Sequence, residues 1–212
     1  MATEKRSTPL RKNRKETEAQ RERLLAAANE YIRHHGIGDL PLRQLAAELG
    51  TSHRMLIYYF GSKEGLMAEL MKTIEQESMR FYVELRADLE MTPTEKLWRY
   101  WHFIIDPARM MGSRLWLEVF SQALGGRGYA GELLPAVIES WIEPLGYICE
   151  QMGSPPEDSP VDGRLVLGVV HGLALQLLAT NDREAADQGF GRFVELLECR
   201  GLSTRSRLAS SV

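Results

Sequence analysis

Residues 42–66 constrain the fold of this chain more than any other segment, because they predict two short helices joined by a tight turn. The apolar positions of the first helix fall on one face, and these are Leu42, Leu45, Ala46 and Leu49. Gly50 follows, at a position where helices commonly end in a left-handed residue. Ser52 then offers a hydroxyl that can begin the next helix.

The second helix of this segment has a narrow inner face and a broad outer face. Leu56 and Phe60 lie four residues apart and are predicted to point inward together. The outer face is left to His53, Arg54, Met55, Ile57, Tyr58 and Tyr59. Such a helix suits the major groove of DNA, which admits one helix and displays donors, acceptors and thymine methyl groups.

Roughly residues 17–70 resemble the DNA-binding domain of the TetR family of one-component regulators. The matching motif residues are Leu45-Ala46, Gly50, Ser52, Leu56, Tyr58-Tyr59-Phe60, Ser62-Lys63-Glu64 and Leu66. The chain departs from the family pattern at Arg54, Met55 and Ile57, and at Leu40-Pro41, where Thr-Thr is usual. Pro is tolerated in a first helical turn, so the departures concern the operator sequence rather than the fold.

The resemblance also implies roles for individual residues. Arg43 would reach a base or a phosphate, and arginine suits guanine O6 and N7. Phosphate contacts are expected from Thr51, Ser52, Tyr58, Tyr59 and Lys63. Base edges would be met by His53, Arg54, Met55 and Ile57. For Tyr58 and Tyr59 an alternative remains open, namely packing within the small domain.

The charge distribution agrees with a DNA-binding end. Residues 1–70 hold 12 Lys and Arg against 9 Asp and Glu, a net charge of +3, whereas residues 71–212 hold 14 against 20, a net charge of −6. A basic end on an acidic body fits a chain that binds a polyanion with one part only. The basic residues of 1–15 favour a phosphate or minor-groove role, and the alternative is a solvated tail.

The periodicity predicts an all-α chain without strands. We expect a three-helix helix-turn-helix DNA-binding domain followed by a larger helical effector-binding and dimerisation domain. The predicted boundaries are a basic disordered arm at 1–15, the DNA-binding domain at 16–62, the larger domain at 63–200 and a flexible tail at 201–212.

The larger domain is rich in aromatic residues, and the resemblance implies a pocket there for a small effector. Such pockets are mostly apolar with a few polar groups. The candidate lining residues are Met67, Trp98, Trp101, His102, Arg109, Trp116, Phe120, Trp141, Tyr147 and His171. The alternative for each of them is ordinary helical core, and for His171 a satisfied buried histidine.

The two terminal helices are predicted to form a homodimer interface. Val161–Thr180 is apolar around most of its circumference and Gly168 and Gly172 leave a flat strip, while the last helix carries an apolar stripe. The candidate interface residues are Leu165, Gly168, Gly172, Leu175, Phe190, Phe193, Val194 and Leu197. The alternative is the internal core of a monomer.

Other functional classes find little support. The chain lacks a Gly-rich phosphate loop, GxSxG and HExxH, so we predict no enzyme, no cofactor and no metal site. Cys149 and Cys199 have no metal spacing and are interpreted as buried free thiols. No leader is apparent, and the apolar run Leu165–Ala179 falls short of the roughly 20 residues of a membrane span. We therefore predict a cytoplasmic protein without a membrane partner.

These observations predict a DNA-binding transcriptional regulator, in this family most often a repressor. It would bind a palindromic double-stranded operator as a homodimer and be released by a small, largely apolar effector. The alternatives are an effector-independent DNA-binding protein and a small-molecule-binding protein or enzyme.

Overall fold

The computed structural model describes residues 9–35, 41–125 and 128–209, and these contain helices and turns but no strand. The predicted all-α class is therefore confirmed. The helices are α1 Pro9–His35, α2 Leu42–Glu48, α3 His53–Phe60, α4 Lys63–Ala87, α5 Pro93–Ile104, α6 Met110–Leu124, α7 Gly128–Met152, α8 Ser159–Thr180 and α9 Arg183–Ala209, with a 3-10 turn at Pro156–Asp158.

The chain divides into two compact units, residues 1–72 and residues 73–212. This division lies ten residues beyond the expected boundary at 62, within the range of α4. Of the expected disordered arm, residues 1–8 lie outside the described residues, while α1 already begins at Pro9. Likewise, α9 continues to Ala209 where a flexible tail from 201 was expected.

The first unit has a small core that orients α3. Its buried residues come from all four helices and are Leu24, Ala28, Ile32, Leu42, Leu45, Ala46, Leu56, Phe60, Leu66, Met67, Leu70 and Met71. The turn between α2 and α3 uses Gly50 at φ +63°, a left-handed value that glycine adopts without steric cost. Ser52 then caps α3, because its Oγ accepts a hydrogen bond from the backbone N–H of Met55 at 3.2 Å.

The corner between α3 and α4 also depends on glycine. Gly61 ends α3 at φ +77°. A Cβ atom added at Gly65 would lie 2.0 Å from the carbonyl oxygen of Phe60, so only glycine fits there. The first turn of α4 therefore lies directly against the last residue of α3.

The second unit is built around one hydrophobic core. Trp101, Phe190 and Leu145 are among its fully buried members, and the indole ring of Trp101 stacks on Phe190 with the ring centroids 5.0 Å apart. Helices α7 and α8 approach each other closely, because a Cβ added at Gly163 would lie 2.2 Å from the carbonyl oxygen of Ile142. The core is thus held by direct helix packing.

A buried carboxylate ties the start of α8 to α9. Asp162 is completely buried, accepts a hydrogen bond from the Ser154 hydroxyl at 2.6 Å and pairs with the Arg200 guanidinium. Arg200 also contacts Asp158 at 2.8 Å. Separating the two helices here would leave the buried Asp162 carboxylate without its partner, which is costly. The pair therefore stabilises the contact between the start of α8 and α9.

Helix α8 differs from one expectation. The segment Pro156–Thr180 is long and apolar enough to cross a membrane by length and composition, although the sequence run looked too short. Its residues Val166, Val170 and Leu177 are nevertheless buried within the second unit, and core helices of soluble proteins meet the same criterion. Packing within the second unit therefore covers one face of this helix, and about a third of its most apolar stretch is buried.

Candidate nucleic-acid interface and ligand-binding region

Helix α3 presents a two-faced surface. Leu56 is 1% exposed and Phe60 is 8% exposed, and both belong to the core of the first unit. The opposite face carries exposed side chains of His53, Arg54, Met55 and Tyr58, while Ile57 and Tyr59 are partly buried at its edges. This arrangement matches the expected division between a buried inner face and an exposed outer face.

Tyr58 and Tyr59 occupy different environments. Tyr58 is 67% exposed, whereas Tyr59 is partly buried. Their rings meet edge to face with centroids 5.0 Å apart. The packing alternative therefore applies to Tyr59 more than to Tyr58, whose hydroxyl is available to a phosphate or a base.

The remaining DNA-binding candidates lie on α2 or near the ends of α3. Arg43 on α2 is exposed, and Thr51 and Lys63 are partly exposed at the two ends of α3. Ser52 is exposed, but its hydroxyl oxygen already accepts a hydrogen bond from Met55. Its first role is thus to begin α3, and any phosphate contact would use the hydroxyl proton.

Sequence reasoning missed one residue that contacts this helix from α1. The Arg21 guanidinium lies 2.8 Å from a carboxylate oxygen of Glu69 on α4 and 5.4 Å from the ring centroid of Phe60. Burial alone would raise the pKa of the Glu69 carboxyl, but the hydrogen bonds from Arg21 and Lys72 lower it below its usual value. The available sequence signal was the position of Arg21 at the polar edge of the amphipathic helix α1.

The structure separates the expected pocket residues into groups. Trp101 and Trp141 are core residues of the second unit, and Met67 is a core residue of the first unit. The Trp101 indole N–H donates to Asp187 at 2.7 Å and that of Trp141 to Glu75 at 3.1 Å. These three residues are better explained by packing than by a ligand.

Two further candidates also have structural partners. Trp98 meets Phe190 edge to face with centroids 5.1 Å apart, so it joins α5 to α9. The ring of Tyr147 is covered by the Arg86 guanidinium, 4.1 Å from its centroid. His102 is exposed on the surface of α5.

One aromatic group joins α6 to α8. Trp116 stacks on Phe120 with centroids 4.9 Å apart and meets the His171 ring at 4.1 Å. All three side chains are partly exposed. Burial lowers the pKa of His171 to about 4, so the imidazole is neutral at pH 7 and offers one donor and one acceptor.

Arg109 forms a second, separate group. Its guanidinium covers the Phe103 ring at 4.1 Å and lies 3.8 Å from Glu77, while Phe103 stacks on Phe81 with centroids 3.9 Å apart. The cation is therefore already placed against an aromatic face and a carboxylate.

The expected dimer residues divide by exposure. Leu165 and Leu175 on α8 are 49% and 50% exposed, and a Cβ added at Gly168 or Gly172 would meet nothing within 4 Å. By contrast, Phe190, Val194 and Leu197 are buried within the second unit, so the expectation that they face a partner was wrong. Phe193 is partly buried, and Leu196 is the exposed apolar residue of α9 that the sequence reading omitted.

The remaining chemical predictions have simple outcomes. Cys149 is buried, and burial raises the pKa of its thiol to about 12, whereas Cys199 is exposed, contrary to expectation. Within the described residues, no group of three or more His, Cys, Asp or Glu side chains is arranged to hold a metal ion.

Comparison with known proteins finds a family match within the first unit. Residues 24–70 match the protein-family model described as "Bacterial regulatory proteins, tetR family". A curated relative, the HTH-type transcriptional regulator BetI of Stenotrophomonas maltophilia, is 27% identical over 106 residues, or 49% of this chain. The match spans 54% of that relative, about half its length.

Solved structures share the fold of most of this chain. A putative transcriptional regulator from Saccharomonospora viridis in complex with choline has a TM-score of 0.69 at 20% identity and covers 84% of this chain and 96% of its own. BioQ with its double-stranded DNA operator has a TM-score of 0.60 at 23% identity and covers 84% and 98%.

Proposed function

We propose that this protein is a homodimeric repressor whose first unit is a DNA-binding domain of the TetR family, whose model residues 24–70 match. It binds a palindromic DNA operator and leaves it when a small, largely apolar effector binds the second unit. The observation that carries the proposal is the two-faced α3, which buries Leu56 and Phe60 and exposes His53, Arg54 and Tyr58.

The proposed reading of DNA divides the exposed residues by chemistry. Arg54 and His53 supply hydrogen bonds to base edges, and Met55 supplies apolar contact such as that with a thymine methyl group. Arg43, Tyr58 and Lys63 hold the phosphates on either side. Because phosphate contacts release counterions, affinity falls steeply as the salt concentration rises.

The dimer rests on the uncovered apolar face of α8 and α9. Its exposed members are Val161, Leu165, Leu175 and Leu196, with Gly168 and Gly172 open between them. Val161, Leu165 and Leu175 recur on one face of α8, exposed apolar surface of this kind favours protein–protein contact, and glycine allows close helix approach. A two-fold dimer would present two recognition helices to half-sites about 34–36 Å apart.

The effector contacts the group of Trp116, Phe120 and His171. Two flat aromatic faces favour an apolar or aromatic molecule, and the neutral imidazole can exchange one hydrogen bond with it. Choline is a second test compound, because aromatic faces bind quaternary ammonium groups and the Saccharomonospora viridis neighbour was solved with it.

Helix α4 is the proposed connection between effector and operator. It begins at Lys63, three residues after α3 ends, and runs to Ala87. An effector shifts DNA binding only by its different affinity for the DNA-binding and the released geometries. A shift of α4 would therefore reach α3 through the Gly61–Gly65 corner.

The first test is selection of duplexes from a randomised pool, followed by fluorescence anisotropy with the selected sequence. Support would be a palindromic consensus bound by the wild type and lost in Arg43→Ala and Tyr58→Ala. Glu48→Ala, at an exposed position of α2, is the matched control and should bind normally. Failure to select any sequence at low salt would refute DNA binding by this surface.

The second test measures the effector region. Choline and a series of small aromatic compounds are titrated while the intrinsic tryptophan fluorescence is recorded. We expect a saturable change that is lost in Trp116→Leu and kept in Trp98→Leu, together with release of the selected duplex. DNA binding that no compound alters would favour the effector-independent regulator.

A further inference from the structure

Arg21 lies where three helices of the first unit meet. It belongs to α1, its guanidinium faces the ring of Phe60 at the last residue of α3, and the same group pairs with Glu69 on α4. Phe60 is buried, whereas the side chains of Arg21 and Glu69 are 34% and 26% exposed. The contact therefore sits at the edge of the core, on the polar side of the recognition helix's C-terminal end.

We infer that Arg21 is a positioning residue for DNA binding, which holds the end of α3 against α4 by contacting Phe60 and Glu69 at once. No part of the recognition surface is formed by the pair itself. The pair acts through Phe60, whose helix carries the exposed His53, Arg54 and Tyr58.

The geometry of the α3–α4 corner explains why such a restraint matters. Gly61 has a left-handed backbone, and Gly65 brings α4 directly against the Phe60 carbonyl. The two glycines contribute no side chain that could fix the direction of α3, and the Ser62 hydroxyl between them binds the backbone N–H of Gly65 at 3.1 Å, within the first turn of α4. Arg21 supplies an outside restraint, because a planar guanidinium can stack on a ring and bind a carboxylate at the same time.

The same geometry argues against Arg21 as a simple phosphate ligand. Its terminal nitrogen is 2.8 Å from the Glu69 carboxylate, and the hydrogen bonds from Arg21 and Lys72 outweigh burial, so the pKa of Glu69 is lowered. The carboxylate is therefore ionised at neutral pH and neutralises much of the cation. A residue whose purpose was to attract DNA would gain nothing from that partner.

The test compares Arg21→Met, Glu69→Gln and the double variant on the duplex selected by the wild type and on poly(dI-dC). Arg23→Met is the matched control, since Arg23 is exposed on the same helix and its replacement by Met removes the same charge. Anisotropy is recorded over a series of salt concentrations, and thermal unfolding checks that each variant is folded. Glu69→Gln is the milder change and remains informative if Arg21→Met unfolds.

We expect each single variant to lose about 5- to 20-fold in affinity for the selected duplex, with little change on poly(dI-dC). The slope of affinity against salt should stay the same, and the double variant should be no weaker than either single variant, because the two residues act as one unit. Arg21→Lys, which keeps the ion pair, should recover part of the loss.

Two outcomes would overturn the inference. In the first, Arg21→Met reduces the salt slope by about one while Glu69→Gln binds normally or better, which would make Arg21 a phosphate ligand. In the second, both variants bind like Arg23→Met, which would make the pair structural only. The inference rests on DNA binding by the first unit, and failure of the wild type to select any duplex would refute that premise separately.

Discussion

Helices α3 and α8 each leave one face uncovered, but the two faces have opposite chemistry. The open face of α3 carries His53, Arg54 and Tyr58, whereas that of α8 carries Val161, Leu165 and Leu175. A polar, partly cationic face gains from meeting a polyanion, and an apolar face gains from leaving water. Exposure alone therefore does not identify a partner, and the chemistry of the exposed atoms does.

The two units also differ in how they hold their helices. In the first unit, a small core and two glycines orient a short helix, and one ion pair at the core edge is inferred to restrain it. In the second unit, large buried rings such as Trp101 and Phe190 and the direct contact of α7 with α8 hold the helices. We therefore expect substitutions of single polar residues to affect the first unit. In the second unit we expect substitutions of apolar residues, or changes in charge, to affect stability or assembly.

The largest expected effect concerns the apolar face of α8. Leu175→Glu or Gly172→Leu should convert the proposed dimer to a monomer and weaken binding to the selected duplex by more than about 100-fold, because two linked half-sites become one. Multi-angle light scattering measures the mass directly. Val83→Glu is the matched control, since Val83 is 64% exposed on α4. If the protein remains a dimer with either substitution, the apolar face of α8 is not the dimer interface.

The next effect is a dependence of stability on pH in the second unit. Burial lowers the pKa of His171 to about 4, so between about pH 6.5 and 4 the unfolded chain binds a proton that the folded chain does not. Stability should therefore fall as the pH drops through this window, by on the order of 1–3 kcal/mol.

Urea unfolding of wild type and His171→Gln at pH 7 and pH 4.5 tests that dependence. The variant should lose less stability than the wild type on acidification. His102→Gln replaces an exposed histidine and should leave the dependence unchanged. Equal losses in all three proteins would assign the acid sensitivity to other groups.

A smaller effect, on DNA affinity, is expected from the open face of α3. Tyr58→Phe removes one hydroxyl and should lower affinity for the selected duplex about three- to tenfold, with no change in thermal unfolding because Tyr58 is 67% exposed. Tyr59→Phe should change binding less, since Tyr59 is partly buried. Anisotropy with both variants decides whether the two tyrosines differ as their exposure indicates.

The smallest effect concerns the start of α3. Ser52→Ala removes the acceptor of the Met55 N–H hydrogen bond and should lower stability by about 1 kcal/mol. Ser52→Thr keeps a hydroxyl and should be nearly neutral. If Ser52→Ala weakens DNA binding without changing stability, the hydroxyl acts on a phosphate rather than as a cap.

The first unit was the more predictable of the two. Short-range patterns define it, namely the apolar spacing of α2 and α3, the glycine turn and the Ser52 cap, and these operate within a few residues of one another. The core and the exposed face of α3 follow from helical periodicity alone. The contact of Arg21 with Glu69 was not predictable, because the two residues are 48 positions apart and nothing local connects them.

The sequence by itself determined the all-α class, the turn and recognition helix, and the resemblance to a regulatory family, since each depends on local periodicity or on a contiguous motif. Only the tertiary structure decided which apolar residues are covered by the chain itself. Phe190, Val194 and Leu197 proved to be core, whereas Leu165, Leu175 and Leu196 remain exposed. The physical reason is that an apolar helix gains the same free energy by burial against its own chain or against another, and only the positions of the neighbouring helices distinguish the two.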